Sequence, residues 1–172
     1  MIELGLLDDK RVELLRGEII EMVPEGTDHA DVNGDAHEYL ILLLGEREAR
    51  CKHRAKVRKA APITLPNGSE PEPDISVFQR REYRSHHPYP ENIFWLIEYS
   101  DSTLKKDLEV NSKIYAEVGI REYWVVNIQA NELIVMRDPE DGEYQTEFRL
   151  KEGTITPLSF QDLVTRVERI IQ

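Results

Sequence analysis

Two acidic residues stand beside apolar segments of the chain, where packing alone gives a carboxylate no role. Asp74 follows a proline and precedes the apolar residues 75–78, and Glu98 ends the apolar residues 93–98. If these segments form neighbouring strands, the two carboxylates meet at one point. Hard oxygen ligands held on rigid strands suit a divalent metal ion such as Mg²⁺ or Mn²⁺. The sequence therefore predicts a metal site at Asp74 and Glu98.

A purely structural interpretation of the same two residues stays open. Asp74 would then cap a turn after Pro73, and Glu98 would end a strand at the solvent surface. Two carboxylates within about 4 Å of each other repel strongly, so their convergence would favour a bound cation. The position of the two side chains relative to each other decides between the interpretations.

The elements that must position these carboxylates follow from hydrophobic periodicity and turn residues. Around Arg16 and Gly17 the pattern predicts an N-terminal β-hairpin over residues 11–23. Amphipathic helices are predicted over 29–48, 104–118 and 159–171, and strands over 52–65, 75–78, 93–98, 122–128, 133–137 and 143–150. This order indicates an α/β (α+β) fold with a central mixed β-sheet flanked by helices. We predict a single domain over residues 1–172.

Composition restricts the class of protein. The formal net charge of −11 argues against a protein that passively coats nucleic acid, whereas a metal-dependent nuclease needs acidic residues. The one cysteine excludes an internal disulfide framework. No apolar run approaches the length of a membrane-spanning helix, and the N-terminus lacks the pattern of a secretory signal. We expect a cytoplasmic protein without membrane association.

Basic residues recur at alternate positions near the start of the segment 52–65. Lys52, Arg54, Lys56 and Arg58 would lie on one face of a strand. Such a row is a candidate contact for the phosphates of a nucleic-acid backbone. The alternative is a solvated face of the sheet, whose charges also prevent pairing at the edge.

Short motifs in a fixed order give the chain a resemblance to a known family. They are LRGEIIEM at 15–22, PEG at 24–26, EPDI at 72–75, EYSDST at 98–103 followed by Asp107, and GIREYWVV at 119–126. The pair Pro73-Asp74 followed by Glu98 is similar to the PD-(D/E)XK nuclease pattern. The whole set resembles the Uma-two family of bacterial restriction-endonuclease-like proteins.

The resemblance implies a restriction-endonuclease-like fold and a metal-dependent nuclease acting on DNA. It also implies that Asp74 and Glu98 hold Mg²⁺ or Mn²⁺. Glu18 also matches a family position near the site. Three roles stay open for it: a third metal ligand, a hydrogen-bond acceptor for groups around the metal ligands, or an exposed hairpin residue without a function in the site. His29 matches another family position, as a proton shuttle, as a contact to a phosphate of the nucleic acid, or as a polar residue in the first turn of a helix.

The chain departs from the family pattern at the catalytic lysine. The nuclease pattern places this lysine two residues after the glutamate, where this chain has Ser100, and the family moves it to the position of Asn111. An amide can hydrogen-bond a water molecule but supplies no positive charge. Three outcomes stay open: a weakened or inactive site, rescue by Lys105, Lys106 or Lys113, or a site that works without lysine. Asn111 and Lys113 are therefore both candidate catalytic residues, although a regular helix rotates Lys113 by about 200° from Asn111.

We predict a Mg²⁺-dependent DNA endonuclease whose activity depends on how the missing lysine is replaced. One alternative is a non-catalytic module on the same fold that binds nucleic acid or a protein. Another is a structural protein whose apolar strands form a dimer interface. We also expect a homodimer.

Overall fold

A computed structural model describes residues 11–22, 26–46 and 54–172, and within them the chain forms ten strands. These are β1 (Val12–Leu15), β2 (Glu18–Glu21), β3 (Ala55–Lys59), β4 (Ile75–Gln79), β5 (Ile93–Ser100), β6 (Glu122–Asn127), β7 (Glu132–Glu140), β8 (Glu143–Leu150), β9 (Thr154–Ile155) and β10 (Thr165–Arg166). The α-helices are α1 (Thr27–Glu46), α2 (Leu104–Lys106), α3 (Ser112–Glu117) and α4 (Glu168–Ile171).

The central sheet has six strands in the order β3-β4-β5-β6-β7-β8. The pair β5–β6 is parallel, and the other four pairs are antiparallel. A parallel pair needs a long crossover connection, which the helical residues 104–117 provide. This crossover brings a helical segment back over the end of β5, the strand that carries Glu98.

A π-helical turn, Asp107–Asn111, joins α2 to α3 within that crossover. The backbone N–H of Ser112 donates to the carbonyl oxygen of Asp107, five residues earlier, in place of the usual bond to the fourth residue back. Such turns are rare and occur often at functional sites. The segment is thus helical as predicted but irregular where it approaches β5.

Two hydrophobic layers cover the two faces of the sheet. On one face α1 and α4 pack on the sheet through a core that includes Leu40, Trp95 and Trp124. On the other face the hairpin and the crossover helices contribute Leu15 and Tyr115 to a second core. Side chains alternate along a strand, so consecutive residues of β5 serve opposite layers. The mixed sheet, the flanking helices and the N-terminal hairpin confirm the predicted fold class.

The two tryptophans bear on the hypothesis of a dimer built from apolar strands. Trp95 and Trp124 have no exposed surface and pack against each other with ring centroids 5.7 Å apart. The strands that carry them are therefore covered by the chain's own helices.

The predicted C-terminal helix over 159–171 is wrong for most of its length. Only Glu168–Ile171 is α-helical, and Thr165–Arg166 forms a short antiparallel pair with β9. Phe160, Leu163 and Val167 are buried as the helical pattern required. The apolar spacing therefore correctly predicted which of these side chains are buried, but not the backbone conformation. The β-branched residues of 164–167 and the pairing with β9 favour extended backbone instead.

The predicted strand over 52–65 is also shorter than expected. Within the described residues of this segment, only β3 (Ala55–Lys59) is a strand. It ends before Ala60, a residue with a positive φ of 43°. The N–H of Ala60 donates to the carbonyl oxygen of Asp74 at 3.0 Å. The edge strand β3 therefore turns away at the position of the acidic pair. In the part of the chain that the structure describes, no helix has the length and apolar character needed to cross a membrane.

Candidate metal site

The structure brings Asp74 and Glu98 together at one end of the β4–β5 pair, in the interior of the sheet. Ile75 of β4 lies opposite Ile97 of β5, so the residue before the first and the residue after the second are neighbours. The Oε2 atom of Glu98 accepts a hydrogen bond from the backbone N–H of Asp74 at 3.1 Å. This contact fixes the Glu98 carboxylate beside the Asp74 backbone.

The Asp74 side chain is fixed by two further elements. Its Oδ2 atom accepts a hydrogen bond from the backbone N–H of Tyr99 at 2.7 Å and lies 3.1 Å from Nε2 of His29 on α1. The side chain is 14% exposed. Its other oxygen, Oδ1, has no hydrogen-bond partner among the residues 11–22, 26–46 and 54–172. The contacts of Oδ2 therefore fix the Asp74 side chain, while Oδ1 stays available to a metal ion.

Glu98 is buried and experiences a strongly unfavourable environment for its negative charge. Burial, followed by the nearby charges of Asp74 and Asp107, raises the pKa of Glu98 well above its ordinary value. Hydrogen bonds from the Asp74 backbone and from the Tyr115 hydroxyl, which donates to Oε1 at 2.9 Å, act in the opposite direction. A cation placed between the two carboxylates would relieve their repulsion.

The donor set fits a hard divalent cation that keeps part of its water shell. Among the described residues no group of three His, Cys, Asp or Glu side chains is arranged to hold a metal ion. Two carboxylates are nevertheless sufficient for Mg²⁺, which usually binds proteins through one or two carboxylates and completes its octahedron with water and substrate phosphate oxygens. Asp74 and Glu98 supply that minimum.

A cavity of about 140 Å³ lies over the two carboxylates. Its walls come from the hairpin, from α1, from β4 and β5 with their flanks, and from the crossover helix. The residues around it are Glu13, Ile20, Glu21, Met22, His29, Glu72, Asp74, Glu98, Tyr99, Thr103, Lys106, Asp107 and Asn111. Most of its polar wall is acidic, so the cavity is suited to cations and needs positive charge to accept a phosphate.

Asp107 organises the wall opposite β5. Its Oδ2 atom accepts hydrogen bonds from Ser100 at 2.5 Å and Thr103 at 2.8 Å, and its Oδ1 atom accepts one from Nδ2 of Asn111 at 2.8 Å. Burial raises the pKa of Asp107, while the bonds from Ser100 and Thr103 oppose that rise. Ser100, at the lysine position of the nuclease pattern, therefore serves to hold Asp107.

Asn111 lies in the cavity wall, as its place on the helix suggested. Its amide nitrogen is engaged by Asp107, and its amide oxygen is buried with no hydrogen-bond partner in the described part of the chain. A buried acceptor without a partner is costly unless water or a ligand completes it. Asn111 therefore presents a hydrogen-bond acceptor to the cavity where the family pattern has a cation.

Two other predicted site residues lie away from the cavity. Glu18 is exposed on β2, and the hairpin instead contributes Glu13 and Glu21 to the cavity wall. The Lys113 ammonium lies 3.3 Å from Glu143 on β8. Seven residues of helix correspond to about 10 Å along the axis, which carries Lys113 well beyond Lys106. The structure does not bring Glu18 or Lys113 to the acidic pair.

The predicted basic row does not lie on one face. Arg54 precedes β3 and its guanidinium packs 5.5 Å from the ring centre of Phe160, in the layer of α1. Arg58 packs 4.9 Å from the ring centre of Phe78, in the opposite layer. Because Arg54 lies outside the strand, the alternation of β3 does not extend to it. Lys56 is on β3, and Lys52 lies outside the described residues.

Glu13 and Asp107 line the cavity but were not named as candidate site residues from the sequence, and Lys106 was named only as one of three lysines that could replace the missing one. Lys106 donates to the buried carboxylate of Glu13, an ion pair between residues 93 positions apart. Glu13 reads as the polar position of an alternating hairpin strand, so its spacing carries no functional signal. Asp107 belonged to a family motif, and that match was the signal that could have found it.

Comparison with known proteins adds an independent observation. The model of the Uma2 family, described as "Putative restriction endonuclease", matches residues 3–168. A crystal structure at 1.96 Å resolution of "a putative nuclease belonging to DUF820 from Anabaena variabilis ATCC 29413" has a similar fold, with a TM-score of 0.67. The two chains are 17% identical, over 94% of this chain and 90% of that one, so the likeness concerns the fold. No curated protein matches the chain.

Proposed function

Because the chain belongs to the Uma2 family of restriction-endonuclease-like proteins, we propose that it is a divalent-metal-dependent nuclease that hydrolyses phosphodiester bonds of DNA. The observation that carries the proposal is the convergence of Asp74 and Glu98 on one cavity, with the Glu98 carboxylate beside the Asp74 backbone. A buried acidic pair of this kind destabilises the protein unless a cation joins it. A cation that also binds phosphate gives the pair a function.

Asp74 and Glu98 would hold the cation, Mg²⁺ or Mn²⁺. When bound, it supplies Lewis-acid polarisation of a phosphate oxygen and lowers the pKa of a coordinated water. The surrounding residues orient the two ligands. The Tyr99 N–H and His29 hold Asp74, and the Tyr115 hydroxyl holds Glu98. Ligands fixed in this way lose little entropy when the metal binds.

The reaction is the addition of water across one phosphodiester bond. The water oxygen forms a bond to phosphorus, the bond from phosphorus to the leaving oxygen breaks, and one proton passes from the water to the leaving oxygen through solvent. The buried amide oxygen of Asn111 can accept a hydrogen bond from a water in the cavity. His29, beside Asp74, is the candidate for relaying the proton or contacting the phosphate.

The edge strand β3 is the proposed path for the DNA backbone. Lys59 lies opposite Ile75, the residue after Asp74, so β3 ends beside the acidic pair. Arg54, Lys56 and Arg58 precede Lys59 along this edge of the sheet. Arg54 and Arg58 lie on opposite faces of the sheet there. A local strip of cations at the sheet edge offsets the net negative charge of the chain where the polyanion must approach.

Cleavage assays with the carboxylates neutralised test the proposal. The purified protein is incubated with plasmid and with oligonucleotide duplexes in Mg²⁺, Mn²⁺ or EDTA, beside Asp74→Asn and Glu98→Gln. The matched control is Glu82→Gln, which removes an exposed carboxylate outside the cavity. We expect metal-dependent cleavage that both site variants lose and the control keeps. A wild type that does not cleave, or cleavage that survives in both site variants, contradicts the proposal.

A second candidate function rests on Asn111. Because an amide stands at the family's lysine position, the fold is also suited to a non-catalytic module that binds nucleic acid. Titration of Mn²⁺ and of DNA by calorimetry separates the two functions. Binding of both without turnover supports the module. Turnover that depends on Asp74 excludes it.

A further inference from the structure

We propose that Lys106, held in place by Glu13, supplies the Asp74–Glu98 cavity with the positive charge that Asn111 cannot supply. The inference rests on the proposed nuclease function, which it deepens by assigning the group that contacts the phosphate. It selects one lysine among the three that could replace the missing one.

The position of Lys106 is fixed by an ion pair with the hairpin. Lys106 is the last residue of α2, and its ammonium donates to Oε1 of Glu13 on β1. The Glu13 side chain is only 5% exposed, whereas that of Lys106 is 34% exposed. A carboxylate so deeply buried is strongly destabilising without a cation, so Lys106 cannot leave it at little cost. Both residues line the cavity that contains Asp74 and Glu98.

The competing lysines of the crossover helix have other surroundings. The Lys105 side chain is 85% exposed and lies 3.9 Å from Glu109 one turn later. Lys113 contacts Glu143 on the opposite end of the sheet. Among the residues that the structure describes, Lys106 is the only lysine or arginine in the cavity wall. Lys106 is therefore selected by its place in the cavity wall and not by how far it stands from Asn111 in the sequence.

The chemistry of the cavity requires such a cation. A phosphodiester must approach a wall that carries six carboxylates, those of Glu13, Glu21, Glu72, Asp74, Glu98 and Asp107. A fixed positive charge at the site of developing phosphate charge is among the strongest sources of transition-state stabilisation. An ammonium has three N–H donors, so Lys106 can bond Glu13 and a phosphate oxygen at the same time. Glu13 is then a positioning residue, and Lys106 is the catalytic residue.

The principal test compares two neighbouring lysines by the same substitution. In a wild type that cleaves DNA with Mn²⁺, Lys106→Met is expected to lower kcat by about 100-fold, the loss typical of removing one charge-stabilising donor. Its Mn²⁺ affinity, measured by calorimetry, should stay within about threefold of wild type, since Asp74 and Glu98 remain. Lys105→Met is the matched control and should cleave as wild type does. Lys106→Arg, which keeps the charge, should retain more activity than Lys106→Met.

A second substitution that restores the positive charge distinguishes the loss of the lysine's charge from misfolding of the Lys106→Met variant. Asn111→Lys in the Lys106→Met background returns a cation to the family position on the same wall and is expected to restore at least a tenth of the lost activity. A double-mutant cycle between Glu13→Gln and Lys106→Met isolates the positioning role. The double variant should lose no more kcat than Lys106→Met alone, whereas two independent structural defects would multiply.

The outcomes separate this inference from the proposed function. A wild type without metal-dependent cleavage overturns both. An active wild type with Lys106→Met cleaving within about twofold of it overturns only the role of Lys106. Loss of activity in Lys106→Met without any recovery by Asn111→Lys or retention by Lys106→Arg also overturns it, because the defect is then not one of charge.

Discussion

The Glu98 carboxylate is bonded to the backbone N–H of Asp74 at 3.1 Å, so the second acidic residue of the site is positioned by the first. Each residue also has a partner from a different layer: Tyr115 reaches Glu98 from the crossover helix, and His29 reaches Asp74 from α1. The acidic pair thus lies at one end of the central strands β4 and β5, where side chains from both layers of the fold reach it. Three predictions concern the charges and contacts around this pair, and a fourth concerns a buried carboxylate away from it.

Replacing Glu98 by glutamine should stabilise the metal-free protein at neutral pH. The pKa of Glu98 is raised in the fold, so its contribution to stability is full below its ordinary value of 4.5 and is lost as pH rises through the raised value. Each unit of such a shift corresponds to about 1.4 kcal/mol. Glu98→Gln keeps the shape without the charge. The difference in free energy of unfolding between variant and wild type, measured in urea with EDTA, should grow between pH 5 and pH 8. A difference that stays constant over this pH range contradicts the raised pKa of Glu98.

Metal binding should release protons. Burial raises the pKa of Glu98 well above its ordinary value, and a cation that binds the ionised form displaces the proton wherever Glu98 carries one. Calorimetric titration of Mg²⁺ at pH 6 in buffers of different ionisation enthalpy measures the number of protons released for each Mg²⁺ bound. It should decrease toward zero as pH rises and should be absent in Glu98→Gln. Unfolding in urea with free Mg²⁺ at 100 times Kd should show a free energy of unfolding higher by about 2.7 kcal/mol than without Mg²⁺. Equal heats in all buffers at pH 6 would refute the coupling.

Removing the Tyr115 hydroxyl should weaken metal binding at acidic pH. That hydroxyl donates to Oε1 of Glu98 and favours its ionised form, so Tyr115→Phe raises the pKa of Glu98 further. The metal-binding curve should move to higher pH, with a loss of about 1–3 kcal/mol in stability where Glu98 is charged. The control is Tyr144→Phe, which removes a hydroxyl bonded to the Ile120 carbonyl away from the cavity. Identical shifts in both variants would mean that the effect is not specific to the site.

Glu122 provides a test of stability that should leave the site unchanged. This fully buried carboxylate accepts hydrogen bonds from Arg137 at 2.6 Å, from the indole N–H of Trp124 at 2.9 Å and from the Leu158 N–H at 2.7 Å. Glu122→Gln leaves Arg137 without its counter-charge and should cost about 3 kcal/mol. Unfolding in urea measures that loss, while Mn²⁺ affinity at 25 °C should be unaltered. A large change in metal affinity would show that the far end of β6 is coupled to the cavity.

The sequence alone determined the acidic pair and the elements that carry it. A turn at Arg16-Gly17 and period-two alternation specify a hairpin locally, and both residues adopt the positive φ that this turn needs, 52° and 82°. Asp74 and Glu98 adjoin antiparallel strands that are neighbours both in sequence and in space. Their meeting needs only strand pairing and register, which side-chain pattern encodes.

The tertiary structure decided which charged groups complete the site. The pairing of Lys106 with Glu13 depends on how the hairpin docks on the crossover helix, and that docking is set by the core around Leu15 and Ile114. The tertiary structure also leaves Glu18 and Lys113 away from the cavity and places Arg54 and Arg58 against different layers of the core. Local pattern fixes which face of an element a residue occupies. Only the packing of distant elements fixes what that face meets, because packing energy depends on shapes brought together from across the chain.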